Sequence, residues 1–222
     1  LVKKSDITIR EFIPSDRAAI RRITFDTAFL GSPASIFFDD KEIFCDTLSL
    51  YFTDYEPMSC FVAVLNEKVI GYIFGTKNIP KMNRIFTSKI VPRLGTKAID
   101  RGTLYSRKVQ EFLMHCSASF LKGELTTPNY AKEYPATFHI NIDRNFRGLH
   151  IGSDLLNTFF KYLRDSAISG IQCSTMSDAA KNFFVKMGFH VLFQIKRSFW
   201  RAYTGQTLTY YVLKKTLEKF CA

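Results

Sequence analysis

The chain has 222 residues, 46% of them apolar and 23% charged, close to globular averages and unlike a disordered or fibrous chain. No run approaches the ~20 uninterrupted apolar residues that span a bilayer. The opening Leu1-Val2-Lys3-Lys4-Ser5-Asp6 also lacks the apolar core of a signal peptide, so a cytoplasmic protein with no membrane attachment is expected. Lys and Arg number 31 against 20 Asp and Glu, and the resulting +11 favours an anionic partner: a phosphorylated cofactor, an acidic substrate or nucleic acid.

In chain order, Asp6 to Phe12 alternates as a short strand, and Pro14-Ser15-Asp16 supplies a helix start. Ile20, Ile23, Thr24 and Ala28 recur at helical spacing until Gly31-Ser32-Pro33, and Ser35 to Phe52 offers a second helix carrying Phe44, Leu48 and Tyr51. Cys60 to Leu65 and Val69 to Gly75 are β-rich runs joined by Asn66-Glu67-Lys68, which predicts an antiparallel hairpin. From Pro80 to Pro135 the pattern turns helical, with Tyr105, Val109, Phe112, Leu113, Cys116 and Phe120 expected on one face. Residues 81–133 carry ten basic and four acidic side chains, over half of the whole surplus, so this insertion is expected to matter for partners.

A strand from Ala136 to Ile142, a helix from Gly152 to Ala167, a strand from Ile171 to Thr175 and a helix from Asp178 to Met187 follow. Strands from Val191 to Arg197 and from Thr207 to Lys214 close the order. The length fits one domain, 1–222, with a helical insertion at about 80–135. The fold class is mixed α/β (α+β), with a central, mostly antiparallel sheet flanked by helices. Cys45, Cys60, Cys116, Cys173 and Cys221 are odd in number and scattered, without a C-x-x-C pair, so reduced thiols are expected and no metal site.

The informative chemistry lies where the strand ending at Asp143 feeds the helix near Gly152, through Arg144-Asn145-Phe146-Arg147-Gly148-Leu149-His150-Ile151-Gly152-Ser153. A helix N-terminus offers unpaired N–H groups and partial positive charge, and glycine admits a phosphate oxygen close to the backbone. Arg144, Arg147 and the Ser153 hydroxyl add charge-assisted or polar contacts.

This segment resembles the acetyl-CoA signature of the GCN5-related N-acetyltransferases: Arg or Gln, two free positions, Gly, one free position, then Gly or Ala. Arg147 and Gly152 match its ends, while His150 stands where the family usually has Gly. A second stretch, Ser177-Asp178-Ala179-Ala180 with Phe184, Lys186 and Met187-Gly188-Phe189, resembles the family's later helix and its Gly-Phe ending. The resemblance implies a GNAT-like fold whose helical insertion precedes the cofactor-binding strand. That strand splays from the next one to admit acetyl-CoA. The backbone of Ile140, Asn141 and Ile142 would hold the pantetheine arm, and Arg147, Gly148, Leu149, His150, Ile151, Gly152 and Ser153 the pyrophosphate. Ser177, Ala180 and Phe184 would complete the cofactor site.

The implied activity is transfer of the acetyl group to a small-molecule or peptide amine by direct attack; a homodimer is compatible with it. The tyrosine that often protonates the leaving thiolate in this family is Phe184 here, and the frequent acid or base on the cleft strand falls at Ala136 and Phe138. His139 is the candidate base if a bulge turns it to the cleft, since strict alternation points it to the opposite face, where it reads as a hydrogen-bonded core histidine. Tyr210, or Tyr211 beside it, is the candidate phenol; Asp39, Asp40 and Glu42 are weaker candidates, better read as a helix start. The element order with its insertion also looks like the acetyltransferase-like domains related to those of eukaryotic O-GlcNAc hydrolases. A non-catalytic binding module is therefore the second reading, and a nucleic-acid binder, lacking any motif, the third.

Overall fold

The computed structural model describes residues 4–217. Strand β1 (Ile7–Glu11) leads through a 3-10 turn into α1 (Arg17–Thr27), followed by α2 (Lys41–Tyr55) and the hairpin β2 (Cys60–Leu65) and β3 (Lys68–Thr76). Helices α3 (Ile79–Ile85), α4 (Val91–Asp100) and α5 (Arg107–Leu121) form the insertion, with a π-helical turn at Phe86–Ile90. Then come β4 (Ala136–Ile142), α6 (Ile151–Asp165), β5 (Gly170–Thr175), α7 (Asp178–Lys186), β6 (His190–Arg197), the short α8 (Arg201–Thr204) and β7 (Leu208–Thr216). The seven strands form one sheet in the order β1-β2-β3-β4-β5-β7-β6, antiparallel throughout except for the β4–β5 pair. The mixed, mostly antiparallel sheet expected from the sequence is the one observed.

Alternation of side chains fixes what lies on each face. On one, Leu155, Phe159 and Leu163 of α6 pack on Ile73, Phe138 and Ile171 with essentially no exposure. Gly75 makes this approach possible, because a Cβ there would collide with the Phe159 ring and the Thr137 carbonyl. On the other face, Ile20 and Ile23 of α1 cover Val62, Tyr72 and Phe74. The β2–β3 turn places Asn66 and Glu67 at φ 46 and 62, the backbone of a two-residue hairpin whose twist matches its strands.

The α4 part of the insertion packs on α2, where Ile90, Leu94 and Ala98 meet Ile43, Leu50 and Tyr51, while α5 packs through Phe112 and Cys116 with Phe37, Phe199 and Trp200. An ion cluster reinforces the α4–α2 contact, with Asp46 accepting from Arg21 and, at 2.7 Å, from Lys97. Burial alone would raise the Asp46 carboxyl, but the Lys97 and Arg21 bonds outweigh it and hold its pKa low.

Two expectations change. The second helix starts at Lys41 and not Ser35, because Asp40 accepts from the Glu42 and Ile43 N–H groups at 3.1 and 3.2 Å, while Ala34–Ile36 makes only a 3-10 turn. The inserted helix does not bury all of its expected face. Val109, Phe112 and Cys116 pack inward, but Tyr105 precedes the Ser106 cap and is 85% exposed, and Phe120 is 70% exposed at the far end.

Candidate functional site

Strands β4 and β5 pair only through Ala136↔Ile171 and Thr137↔Gln172 and then part. On its other edge β4 stays in unbroken register with β3 from Thr137 to Ile142. The Asp143 N–H donates to the Ile70 carbonyl at 2.8 Å, so the odd-numbered residues of β4 turn their backbone groups to β3. Phe138, Ile140 and Ile142 therefore present N–H and C=O to the opening. A strand edge whose donors and acceptors face a gap is a ready partner for an extended amide-bearing ligand. Of the three residues expected to line this edge, Ile140 and Ile142 face it, whereas the Asn141 backbone faces β3 and its side chain donates to the Tyr72 hydroxyl at 3.1 Å.

At the far end of β4 the chain enters the Arg144-to-Ser153 loop. His150, at φ 60, stands at the N-cap of α6, and no side chain caps the helix. Its first N–H groups thus lack a side-chain acceptor, which is the condition for anion binding. Gly148, at φ +85, has open space where a Cβ would be, so the glycine that leaves room for a phosphate oxygen is this one. Gly152 has another reason: its missing side chain lets the Phe183 ring of α7 approach to 3.3 Å of the Cβ position. The Ser153 hydroxyl donates to the His150 carbonyl at 2.8 Å and is not left pointing outward. Leu149 and Ile151 turn their side chains into the core and can contribute only backbone.

Arg147 lies against Gly31, whose Cβ position is 2.9 Å from its Nη1, and Arg144 donates to the Asp26 carbonyl at 3.0 Å. Both guanidiniums therefore flank the loop from the side of the α1–α2 connection. An uncapped helix start, an open glycine and two arginines fit a pyrophosphate; Asp154 in the first turn is paired with Lys4 at 3.0 Å.

The second motif is placed beside the first. Ser177 caps α7 by accepting from the Ala180 N–H at 3.2 Å, and Ala180 packs at the margin of the core. Phe184 is buried edge-on against Phe138, with ring centroids 5.5 Å apart, so it closes the bottom of the opening as a hydrocarbon wall.

A cavity of about 390 Å³ sits on the opposite face, over the point where β4 and β5 part. Thr137, Gln172, Ser174 and Tyr210 form its floor, and Asn83 with the 127–131 segment forms its rim. His139 is on this face but engaged: Nδ1 lies 3.3 Å from the Tyr72 hydroxyl, and its ring stacks on Phe74 at 5.3 Å. Burial lowers its pKa to about 4, which keeps the ring neutral near pH 7 and makes it a weak proton acceptor. The unbroken β4 register leaves no bulge to turn His139 elsewhere.

Tyr210 and Tyr211 take opposite faces, as adjacent strand residues must. Tyr210 lines the cavity beneath the Arg197 guanidinium, 3.4 Å from its ring, while Tyr211 donates to Asp178 at 2.7 Å on the other face. Asp39, Asp40 and Glu42 are all engaged, the first two by the insertion and Glu42 by α1. Ser106 donates to Asp39 at 2.8 Å, Arg101 to Asp40 at 2.8 Å, and Arg21 to Glu42 at 2.7 Å. Asp40 would be raised by burial, yet the Arg101 and Thr103 bonds bring it to about 2.

Sequence reasoning missed Tyr130, Asn83, Gln172 and Arg197. The first two come from the insertion, whose path no periodicity reveals, and Gln172 reads as an ordinary strand residue. Among the described residues no group of three or more His, Cys, Asp and Glu is arranged to hold a metal, and no helix is long and apolar enough to cross a membrane. Cys45, Cys60, Cys116 and Cys173 are free thiols, and Cys221 lies outside the described residues.

The sequence profile of the Acetyltransferase (GNAT) family matches residues 30–189. No curated protein matches the chain by sequence. Among solved structures the chain is similar to SsHAT, at 19% identity and a TM-score of 0.69, covering 96% of this chain and 99% of that one. It is also similar to Ard1 from Thermoplasma volcanium, at 18% identity and a TM-score of 0.55, with 96% and 99% covered. A third is yncA from Salmonella typhimurium, solved with its cofactor acetyl-CoA, at 15% identity and a TM-score of 0.58, with 98% and 97% covered. At these identities the likeness is one of fold.

Proposed function

Because the chain belongs to the GNAT acetyltransferase family, whose acyl donor is acetyl-CoA, we propose that it acetylates a primary amine by direct attack on the thioester. The observation that carries the reading is the early parting of β4 from β5, beside a helix start that no side chain caps. The cofactor supplies an activated acetyl carbon on a thiol leaving group. The chain's own residues do the remainder.

The Ile140 and Ile142 edge supports an extended arm, and Arg147, Gly148 and the first N–H groups of α6 support its phosphates. Phe138 and Phe184 keep water from the base of the opening. The acceptor enters from the polar cavity on the opposite face. Its nitrogen must be unprotonated when the C–N bond forms and the C–S bond breaks, and the departing sulfur takes up a proton. His139 is held neutral and bonded to Tyr72, which suits a positioning role. Tyr210 is the phenol on the cavity floor, and we assign it the proton exchange.

Calorimetric titration with acetyl-CoA tests the binding half of this reading. Wild type is expected to bind, and Arg147→Glu to weaken binding by about tenfold or more, from loss of a charge-assisted contact and gain of a repulsive one. Thiol release with an amine panel tests the chemistry, with Tyr210→Phe expected to lower kcat by about 100-fold, the usual scale of general acid–base catalysis, while the acetyl-CoA affinity is kept. Tyr105→Phe, 85% exposed and outside the cavity lining, is the control. The buried Phe184 in place of a phenol favours one other reading, a binding module without turnover. Acetyl-CoA binding with no thiol release from any amine would select it.

A further inference from the structure

The cavity over the β4–β5 parting carries no carboxylate. Its floor and rim are hydroxyls, amides and apolar side chains, among them Thr137, Gln172, Ser174, Tyr130 and Asn83. A polyamine or another polycation would enter this space with nothing to pair its second charge, at a desolvation cost of several kcal/mol per ion. Charge near the cavity is of the other sign.

Arg197 and Lys214 project on the same face of the sheet as Tyr210, because Arg197 pairs with Leu208, and Lys214 with Gln172. Lys214 lies over the Tyr134 ring at 5.4 Å. Arg197 is flat against Tyr210, with Nε donating to the Glu124 carbonyl at 3.2 Å and Nη2 to the Thr127 hydroxyl at 3.3 Å. Tyr210 and Thr127 both line the cavity, so the guanidinium that contacts them adjoins its margin.

Among the described residues no carboxylate forms an ion pair with Arg197. Glu124, whose carbonyl accepts from Arg197, turns its carboxylate to Ser119 and Ser198, accepting from the Ser198 N–H at 2.7 Å. The guanidinium has five N–H donors, and among the described residues, apart from the stacked Tyr210, only Nε and Nη2 meet hydrogen-bond acceptors. Burial pushes the Arg197 pKa down, which marks a cation short of anionic company. A planar fork stacked on an aromatic ring is the geometry that recognises a carboxylate with two parallel bonds.

We infer that the acceptor is a zwitterionic amine, an amino acid or short peptide whose carboxylate is held by Arg197 at the cavity margin while its amine is directed toward the β4–β5 parting. The inference rests on the acetyl-transfer reading above and names the substrate class of that same site. Arg197 then acts as a specificity residue at the cavity margin and leaves the proton exchange to other groups. The volume of about 390 Å³ admits a single amino acid or a dipeptide with room to spare.

Matched acceptors test this on the full chain: α-amino acids and dipeptides, each beside its carboxamide, with spermidine as the polycation, all followed by thiol release at saturating acetyl-CoA. The acids are expected to show a KM about tenfold or more below that of their amides, the scale of one charge-assisted bond. Arg197→Met is expected to bring that ratio toward one, and Arg197→Lys to keep part of it, since the charge remains and the fork is lost. Spermidine preferred over the acids, or equal KM for acid and amide, overturns the inference while leaving acetyl transfer intact. So does acetyl-CoA binding with turnover of no carboxylate-bearing acceptor. A ratio unchanged in Arg197→Met removes the assignment to Arg197. Absence of acetyl-CoA binding in the titration removes the acetyl-transfer reading itself, and the two failures are thereby told apart.

Discussion

His139 carries its neighbours' influence in a form that solution measurements can read. Its folded pKa of about 4 lies below the ordinary 6.5, so between these values the unfolded chain binds a proton that the folded chain refuses. Stability from this residue is fully present above about pH 6.5 and lost as the pH falls toward 4. The full shift corresponds to a loss on the order of 3 kcal/mol. Denaturation midpoints measured from pH 7 to 4 should fall for wild type and stay nearly flat for His139→Gln. Both proteins should then lose further stability below about pH 4, where Asp16, Asp46 and Asp143, whose folded carboxyls are held low by their partners, take up protons. Equal slopes for the two proteins above pH 4 would show that the ring is solvated. Alternation along the Ala136-to-Ile142 run already set His139 on the face away from α6. What sequence could not supply was Tyr72, 67 positions earlier, whose hydroxyl meets the ring.

At the level of elements, the contact of α6 with the sheet hangs on a single missing side chain. Gly75→Ala would drive a methyl into the Phe159 ring and the Thr137 carbonyl, and neither the backbone nor an unexposed aromatic can yield cheaply. Overpacking of this kind costs about 1–3 kcal/mol, and the backbone clash puts Gly75→Ala at the upper end, which chemical denaturation would register as a lower midpoint with an unchanged slope. A loss under ~0.5 kcal/mol would mean that α6 can ride outward. The strands were legible because each is either an alternating or a β-rich apolar run that ends at a turn: β4 runs from Ala136 to Ile142, as its pattern indicates. The start of α2 was not, since Phe37 and Phe38 extend the apolar rhythm upstream of Asp40, and only the Asp40 cap decides where the helix begins. Motif position singled out Gly152 alone, and sequence cannot show that Gly148 is the glycine facing open space while Gly152 faces Phe183.

Across the whole molecule, the basic surplus of the insertion is partly internal. Lys97 and Arg101 pair with Asp46 and Asp40, so a composition that reads as partner-facing is in part the fastening of α4 to α2. Asp46→Asn would leave Arg21 and Lys97 sharing the exposed Glu42 alone. Breaking a largely buried ion cluster from one side costs about 3 kcal/mol or more, so the melting temperature should drop by several degrees; protease cleavage within residues 80–105 should also rise. A melting temperature within a degree of wild type would show that apolar packing alone fixes the insertion. The cavity rim was illegible for a related reason: Asn83 and Tyr130 reach one space from the two ends of that insertion, and nothing in the spacing of 47 residues foretells the return.

The two residue pairs that join β4 to β5 also give the molecule a mechanics. Strands β1 to β4 and strands β5 to β7 are two stiff plates that share a very short fulcrum at Ala136 and Thr137. Five residues of β4 extend beyond it, a lever of about 17 Å at strand rise. A 5° change of angle at the fulcrum therefore displaces the tip near Ile142 by about 1.5 Å, enough to spoil the alignment of two reacting groups. The angle is set by what fills the hinge from behind, Ala136 and Phe138 against Phe184 and Phe189, all of them buried. The separation of donor and acceptor across the opening is thus a property of hydrocarbon that touches neither of them.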